Sequence, residues 1–208
     1  MPRRSVLLFG GLVLVAAVVL AITTMVVVSG RDSAASGSQP VTSTGQPSVG
    51  GPFTLVDQNG RSVDQTMLDG KWTLVFFGFT WCPDYCPTTL AALNATKAQL
   101  GDRADNLQIV FISVDPARDT PAVLKDYLSS DGFPEGVIGL TGSPAQIRAA
   151  ADAYRAYYQK AGEGEGYTMD HSLTVYLMGP DGKFRSALAG DLSPERSAEV
   201  IRRAMDRG

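Results

Sequence analysis

From Trp72 to Phe79 the chain reads WTLVFFGF, eight residues without a charge and dense in aromatic and β-branched side chains. Alternation of polar and apolar positions is missing, so neither face of a strand here is suited to water. Such a strand needs pairing partners along its edges and a covering layer on both faces. A second run of the same kind, LQIVFISV from Leu107 to Val114, supplies a neighbour. Of the 208 residues 44% are hydrophobic and 19% charged, enough to fill one such core. The formal net charge of -3 leaves no surplus of Lys and Arg to neutralise a phosphate backbone, which argues against nucleic-acid binding.

The remaining patterns supply the covering layers. Phe53 to Val56 with the polar turn from Asp57 to Gly60 suggests a short hairpin, and Pro87 to Leu100 carries apolar residues at Leu90, Leu93 and Leu100 in helical register. Thr120-Pro121, Ser143-Pro144 and Ser193-Pro194 each place a hydroxyl at a helix N-cap and a proline at the first helical position, where a missing N–H costs nothing. Val137 to Leu140 and Ser172 to Met178 read as strands; Pro180-Asp181-Gly182 is a turn and Phe184 to Leu188 a hairpin partner. Tyr154, Tyr157 and Tyr158 have the spacing of a single helix. The order predicts an α/β fold, a mixed sheet flanked by helices. It is similar to the thioredoxin-like fold in its peroxiredoxin-like variant, whose active site lies where the first core strand enters its helix.

Ahead of this domain, expected over residues 51–208, two other segments are expected. Ser5 to Val28 is an uncharged run of twenty-four residues. As a helix it would extend roughly 36 Å, more than the ~30 Å hydrocarbon core of a bilayer requires. Its length exceeds that of a signal-peptide core, and no A-x-A pattern follows it directly, so an uncleaved transmembrane anchor is expected. Arg3 and Arg4 before it favour a short cytoplasmic N-terminus at 1–4 and an extracytoplasmic remainder. Residues 29–50, rich in Ser, Gly, Thr, Gln and Pro, read as a flexible tether.

The chain has two cysteines, Cys82 and Cys86, and a single histidine, His171. These are too few for a four-cysteine zinc site or a disulfide framework. Cys82-Pro83-Asp84-Tyr85-Cys86 falls at the expected strand-to-helix junction, where helical spacing would turn both sulfurs the same way. That geometry permits a disulfide, a thiol–disulfide exchange pair or two thiolates converging on one metal ion. A staple closing so short a loop contributes only about 2 kcal/mol, which favours redox or metal chemistry. A thiol exchanger has no need of a histidine, whereas two thiolates and an imidazole suit Cu(I). His171 stands just before the strand expected from Ser172, in the loop that a cis-proline occupies in thioredoxins; no proline lies between Ala145 and Met178.

FGFTWCPDYCPTTL at 77–90, SVDPARDTP at 113–121 and DHSLTVYLMGPDGKF at 170–184 together resemble the Sco/SenC family of membrane-anchored copper proteins. The likeness extends over residues 51–208. It implies copper, as Cu(I), Cu(II) or both, held by Cys82, Cys86 and His171. It further implies a metallochaperone that matures the CuA centre of cytochrome c oxidase, a single-pass protein of the inner membrane with its globular domain in the periplasm. The implied partners are the oxidase subunit carrying CuA, an upstream periplasmic copper donor and a thioredoxin-like reductant.

A thiol–disulfide oxidoreductase that reduces the acceptor's cysteines through Cys82 and Cys86 is the alternative, and a peroxidase is suggested by topology alone. Around the site, Asp115 and Asp119 either tune the metal, supply an additional copper(II) ligand, or cap and order the turn entering the next helix. Asp170 is placed either to orient His171 as an acceptor or to stand exposed in its loop, and Trp81 to form a contact surface, a lid over the copper or a partly packed side chain. Gly162 to Gly166, alternating with glutamates, is expected to let His171 swing toward and away from the thiolates.

Overall fold

A computed structural model describes residues 49–191 and 193–207. The expected span at 5–28 and the tether up to residue 48 lie outside the described residues. Among the described residues no helix is long and apolar enough to cross a membrane. In chain order the strands are β1 (Thr54–Asp57), β2 (Ser62–Asp64), β3 (Trp72–Gly78), β4 (Leu107–Ser113), β5 (Ile138–Thr141), β6 (Tyr158–Ala161), β7 (Thr168–His171), β8 (Thr174–Met178) and β9 (Phe184–Ala189). The α-helices are α1 (Tyr85–Leu100), α2 (Pro121–Leu128), α3 (Pro144–Tyr154) and α4 (Pro194–Met205), with 3-10 turns at Gln65–Leu68 and Gly101–Asn106.

Seven strands form one mixed sheet in the order β2-β1-β5-β4-β3-β8-β9. Every residue of β3 is buried, as its unbroken apolar run requires. It runs parallel to β4, with Trp72 opposite Leu107 through to Gly78 opposite Ser113, and antiparallel to β8 on its other edge. Leu74, Phe76, Phe77, Phe111, Leu90, Leu124, Tyr154 and Ile201 are among the side chains in the buried core. The chain docks as early as Gly50, whose N–H donates to the Ala153 carbonyl.

The three expected helix starts are all present. Thr120 Oγ1 accepts from the Val123 N–H, Ser143 Oγ from Gln146 and Ser193 Oγ from Arg196. At Ser143 the Gln146 side chain returns the bond, completing a capping box.

Two elements depart from expectation. The tyrosines do not share a helix: α3 ends at Tyr154, Arg155 turns into the left-handed region at φ 55°, and Tyr158 begins β6. Strands β6 and β7 then form a separate antiparallel pair, Tyr158 opposite His171 and Ala161 opposite Thr168. Their sequence lacks alternation because most of its side chains are exposed or only half-buried, so the hairpin has no apolar face to announce it.

Candidate metal centre

The buried strand β3 delivers the chain to a tight turn. The Cys82 N–H donates to the Phe79 carbonyl at 3.3 Å. Thr80 is fixed from the neighbouring loop: its N–H and hydroxyl donate to the Asp119 carboxylate at 3.0 and 2.6 Å, and Ser113 Oγ donates to the same group at 2.6 Å. Helix α1 starts at Tyr85, two residues earlier than its apolar pattern indicates, so Cys86 lies in its first turn and Cys82 outside it. The sulfurs therefore do not meet through helical phase. Cys82 Sγ instead accepts the Cys86 backbone N–H at 3.4 Å, taking one of the free donors at the helix N-terminus. Asp84, at the N-cap, makes no side-chain cap bond. Cys86 is fully buried and Cys82 is 9% exposed.

Gly78, the last residue of β3, makes room for this arrangement. A β-carbon there would lie 2.8 Å from Cys86 Sγ and 2.7 Å from Phe111 Cε2, closer than such contacts allow. Glycine lets the sulfur back directly onto the sheet, the close approach that a strand glycine often marks.

His171 is the last residue of β7, not a member of a free loop. Its Nε2 lies 3.5 Å from Cys86 Sγ, and its Nδ1 lies 2.9 Å from the Ser172 carbonyl. A carbonyl can only accept, so Nδ1 carries the proton and Nε2 presents its lone pair to the sulfurs. The ring stands edge-on to Phe79 and Phe76, with centroids 5.7 and 6.2 Å away. Cys82, Cys86 and His171 thus place their donor atoms within 4.8 Å of one another, although Cys86 and His171 are 85 positions apart.

The two thiols are electrostatically unequal. The Cys86 thiol hydrogen-bonds Cys82 and, with the backbone N–H groups, holds the Cys82 thiol down to about 5 despite its burial. The proton stays on Cys86, which the neighbouring Cys82 thiolate and its own burial push far above the ordinary thiol range. Burial pushes the Asp119 carboxyl up, outweighing the bonds from Ser113 and Thr80 that pull it down.

The other expected residues divide. Asp119 does not cap α2, a task Thr120 performs; it ties the cysteine turn to β4. Asp115 holds Arg118 and Tyr167. Asp170 is exposed, and the group that orients His171 is the Ser172 carbonyl. Trp81 is 63% exposed beside Cys82, with the Arg118 guanidinium 5.2 Å from its ring. Gly162 to Gly166 form the connection of the β6–β7 hairpin, while His171 sits at its other end, paired with Tyr158. Gly78, Phe79, Thr80, Arg118, Tyr167 and the Ser172 carbonyl were not singled out in the sequence. Of these only Gly78, interrupting an apolar strand, carried a readable signal.

The SCO1/SenC family model matches residues 41–206. The chain is 40% identical over 163 residues to Protein SCO2, mitochondrial, of Saccharomyces cerevisiae, covering 76% of this chain and 53% of that one. It thus spans about half the length of that relative. The structure of Bradyrhizobium japonicum ScoI with copper bound is similar at a TM-score of 0.68 and 46% identity, over 75% of this chain and 99% of that one. The structure of BsSco, a member of the Sco family of cytochrome c oxidase assembly proteins in which a disulfide switch has been identified, is similar at a TM-score of 0.62 and 27% identity, over 78% of this chain and 95% of that one.

Proposed function

The chain belongs to the SCO1/SenC family, and on that premise we propose that it is a copper chaperone that carries one ion between Cys82 Sγ, Cys86 Sγ and His171 Nε2. The carrying observation is the convergence of these three donors within 4.8 Å, with the imidazole tautomer already set by the Ser172 carbonyl. Two soft thiolates and an imidazole make a trigonal set suited to Cu(I). Copper is cargo here: it enters with loss of the Cys86 proton, since Cys82 is the thiol that ionises first, and it leaves by exchange of these ligands for those of an acceptor.

The acceptor we propose is the CuA-bearing subunit of cytochrome c oxidase, supported by family membership and by the oxidase-assembly role of BsSco. A periplasmic donor supplies the ion and a thioredoxin-like protein keeps the pair reduced. Residues 5–28 anchor the chain in the inner membrane, 29–50 tether it, and 51–208 act in the periplasm. A Cys82–Cys86 disulfide excludes copper and the dithiol admits it.

The test is anaerobic Cu(I) titration of the reduced full chain in detergent beside Cys82→Ser, Cys86→Ser and His171→Ala. One equivalent bound by the parent and a large loss of affinity in each variant is expected. Undiminished affinity in any of the three would refute the ligand set.

The inequality of the thiols supports a second reading, thiol–disulfide exchange. The Cys82 thiolate would attack an acceptor disulfide, releasing one acceptor thiolate. Cys86 would then displace the other, leaving a Cys82–Cys86 disulfide and a reduced acceptor. Full oxidase maturation in cells carrying His171→Ala would favour this reading, because exchange does not use the imidazole.

A further inference from the structure

We propose that Arg118 is the positioning residue that fastens the His171 hairpin to the cysteine turn, so that a side chain touching no donor atom sets where the third donor stands. The proposal deepens the copper-carrier reading and rests on it for the part that concerns copper.

Arg118 lies in the loop between β4 and α2, with its side chain only 15% exposed. Its Nε pairs with Asp115 Oδ2 at 2.5 Å and its Nη1 donates to the Tyr167 carbonyl at 3.0 Å. The guanidinium carbon is 3.6 Å from the centre of the Tyr167 ring, and the Tyr167 hydroxyl donates to Asp115 Oδ1 at 2.7 Å. Arg118, Asp115 and Tyr167 therefore close a ring of two hydrogen bonds, an ion pair and a stacked face. Tyr167 is the residue before β7, and His171 follows four positions later on the same strand. The same guanidinium faces the cysteine side, 5.2 Å from Trp81 and 6.0 Å from Phe79. Phe79 in turn meets the His171 ring edge-on.

The hairpin needs such a fastening. It pairs over only four residue positions and belongs to no larger sheet. Only Met169 of its strands is buried. Its hydrogen bonds near His171 are local, through Ser172 N–H to the Tyr157 carbonyl and Tyr157 N–H to Ser172 Oγ, and its other contacts there are the His171 ring against Phe76 and Phe79 and the Arg148 guanidinium over Tyr158. A planar guanidinium can engage a carboxylate, a carbonyl and aromatic faces together; an ammonium cannot hold that set. Packing alone does not account for the choice. Nη2 is buried with no hydrogen-bond partner among the described residues, and an unpaired buried donor destabilises a fold that an apolar side chain would fill without it.

The test uses the full chain in detergent, with Arg118→Met, Arg118→Lys, His171→Ala and the Arg118→Met/His171→Ala double variant. In the copper-free chain, Arg118→Met should speed amide exchange in 158–161 and 168–172 at least about tenfold, with β3 and β4 unchanged. Cu(I) affinity, read by competition with a chromophoric chelator, should fall about 10–100-fold, and Arg118→Lys should restore only part of it. In the His171→Ala background Arg118→Met should change affinity by less than about twofold, because its effect passes through the imidazole. Equal losses in both backgrounds, or hairpin exchange at the parent rate, would overturn the proposal. Should Arg118→Met fail to fold, Arg118→Lys and Tyr167→Phe, which removes only the hydroxyl bond to Asp115, carry the same comparison. A parent chain that takes up no copper would sink the carrier reading, while hydrogen exchange would still decide the fastening role.

Discussion

Replacing Gly78 by alanine tests whether the copper-site geometry depends on the sheet's letting a sulfur approach its backbone. Nothing in the backbone opposes the change, since Gly78 is not among the glycines with positive φ. The obstacle is space: the new methyl would meet Cys86 Sγ at 2.8 Å and Phe111 Cε2 at 2.7 Å. Ordinary contacts of this kind lie near 3.5–4.0 Å, so one or both neighbours must retreat by roughly 0.7–1.3 Å. Metal–sulfur distances tolerate about 0.2 Å, so a shift of this size at Cys86 takes the sulfur out of position. We expect a stability loss of about 1–3 kcal/mol from overpacking, and a fall in Cu(I) affinity of about tenfold or more. Gly139→Ala is the control. Its methyl would meet Leu128 Cδ1 at 2.6 Å, an equally severe overlap against a leucine that takes no part in the site. Urea titration should place both variants below the parent, and anaerobic chelator competition should separate them, with only Gly78→Ala losing copper. Parent-like affinity in Gly78→Ala, or equal losses in both, would refute the reasoning.

Alkylation with iodoacetamide across a pH series should modify Cys82 with a midpoint near 5, and Cys86→Ala should raise that midpoint because the Cys86 thiol is the largest cause of the lowering. With the folded value below the ordinary thiol value of about 8.5, the Cys82 thiolate stabilises the fold fully above that pH and loses its contribution as pH falls through about 5; urea midpoints of the parent against Cys82→Ser should show this slope. Asp119→Ala removes the acceptor of three bonds from Thr80 and Ser113 and should cost about 2–3 kcal/mol in urea denaturation while weakening Cu(I) binding. Tyr154→Phe deletes a buried hydroxyl that has no partner among the described residues and should raise the melting temperature by about 2–4 °C, corresponding to roughly 1 kcal/mol; a lowered melting temperature would show that the hydroxyl is satisfied.

What could be read from the sequence was whatever a local rule encodes. The β3 run, continuous in apolar residues, announced a strand buried on both faces. The hydroxyl–proline pairs at 120, 143 and 193 announced three helix starts, because cap chemistry acts within four residues. The three donors were identifiable because the chain has no other cysteine or histidine. The means of bringing them together was not legible. Helical spacing suggested that Cys82 and Cys86 share a helix face, yet Cys82 meets Cys86 as an acceptor outside the helix, a geometry set by the turn that Asp119 holds from 39 positions away. Of the two readings open for Asp170, orienting His171 or standing exposed, the structure shows the exposed one, and the task falls to a backbone carbonyl, which has no sequence signature. The β6–β7 hairpin escaped notice for a related reason: its order comes from Arg118 and Tyr167, not from an apolar stripe.

These two modes of support divide the site mechanically. Cys86, itself fully buried, stands in the first turn of α1 against β3, and the Cys82 turn is bonded to β4 through Asp119, so displacing either sulfur disturbs the core. His171 stands on a two-stranded, largely exposed hairpin held by the buried Met169, by ring contacts of His171 with Phe76 and Phe79, and by the Arg118 and Arg148 guanidiniums over Tyr167 and Tyr158. Local opening draws on the elements with the fewest buried contacts, so the imidazole is the donor that can depart without unfolding the domain. A carrier that must both retain and surrender a soft ion is served by that inequality. In the proposed carrier reading the two thiolates would keep hold while the imidazole gives up its place, at a site where Cys82 is slightly exposed and Trp81 stands in solvent.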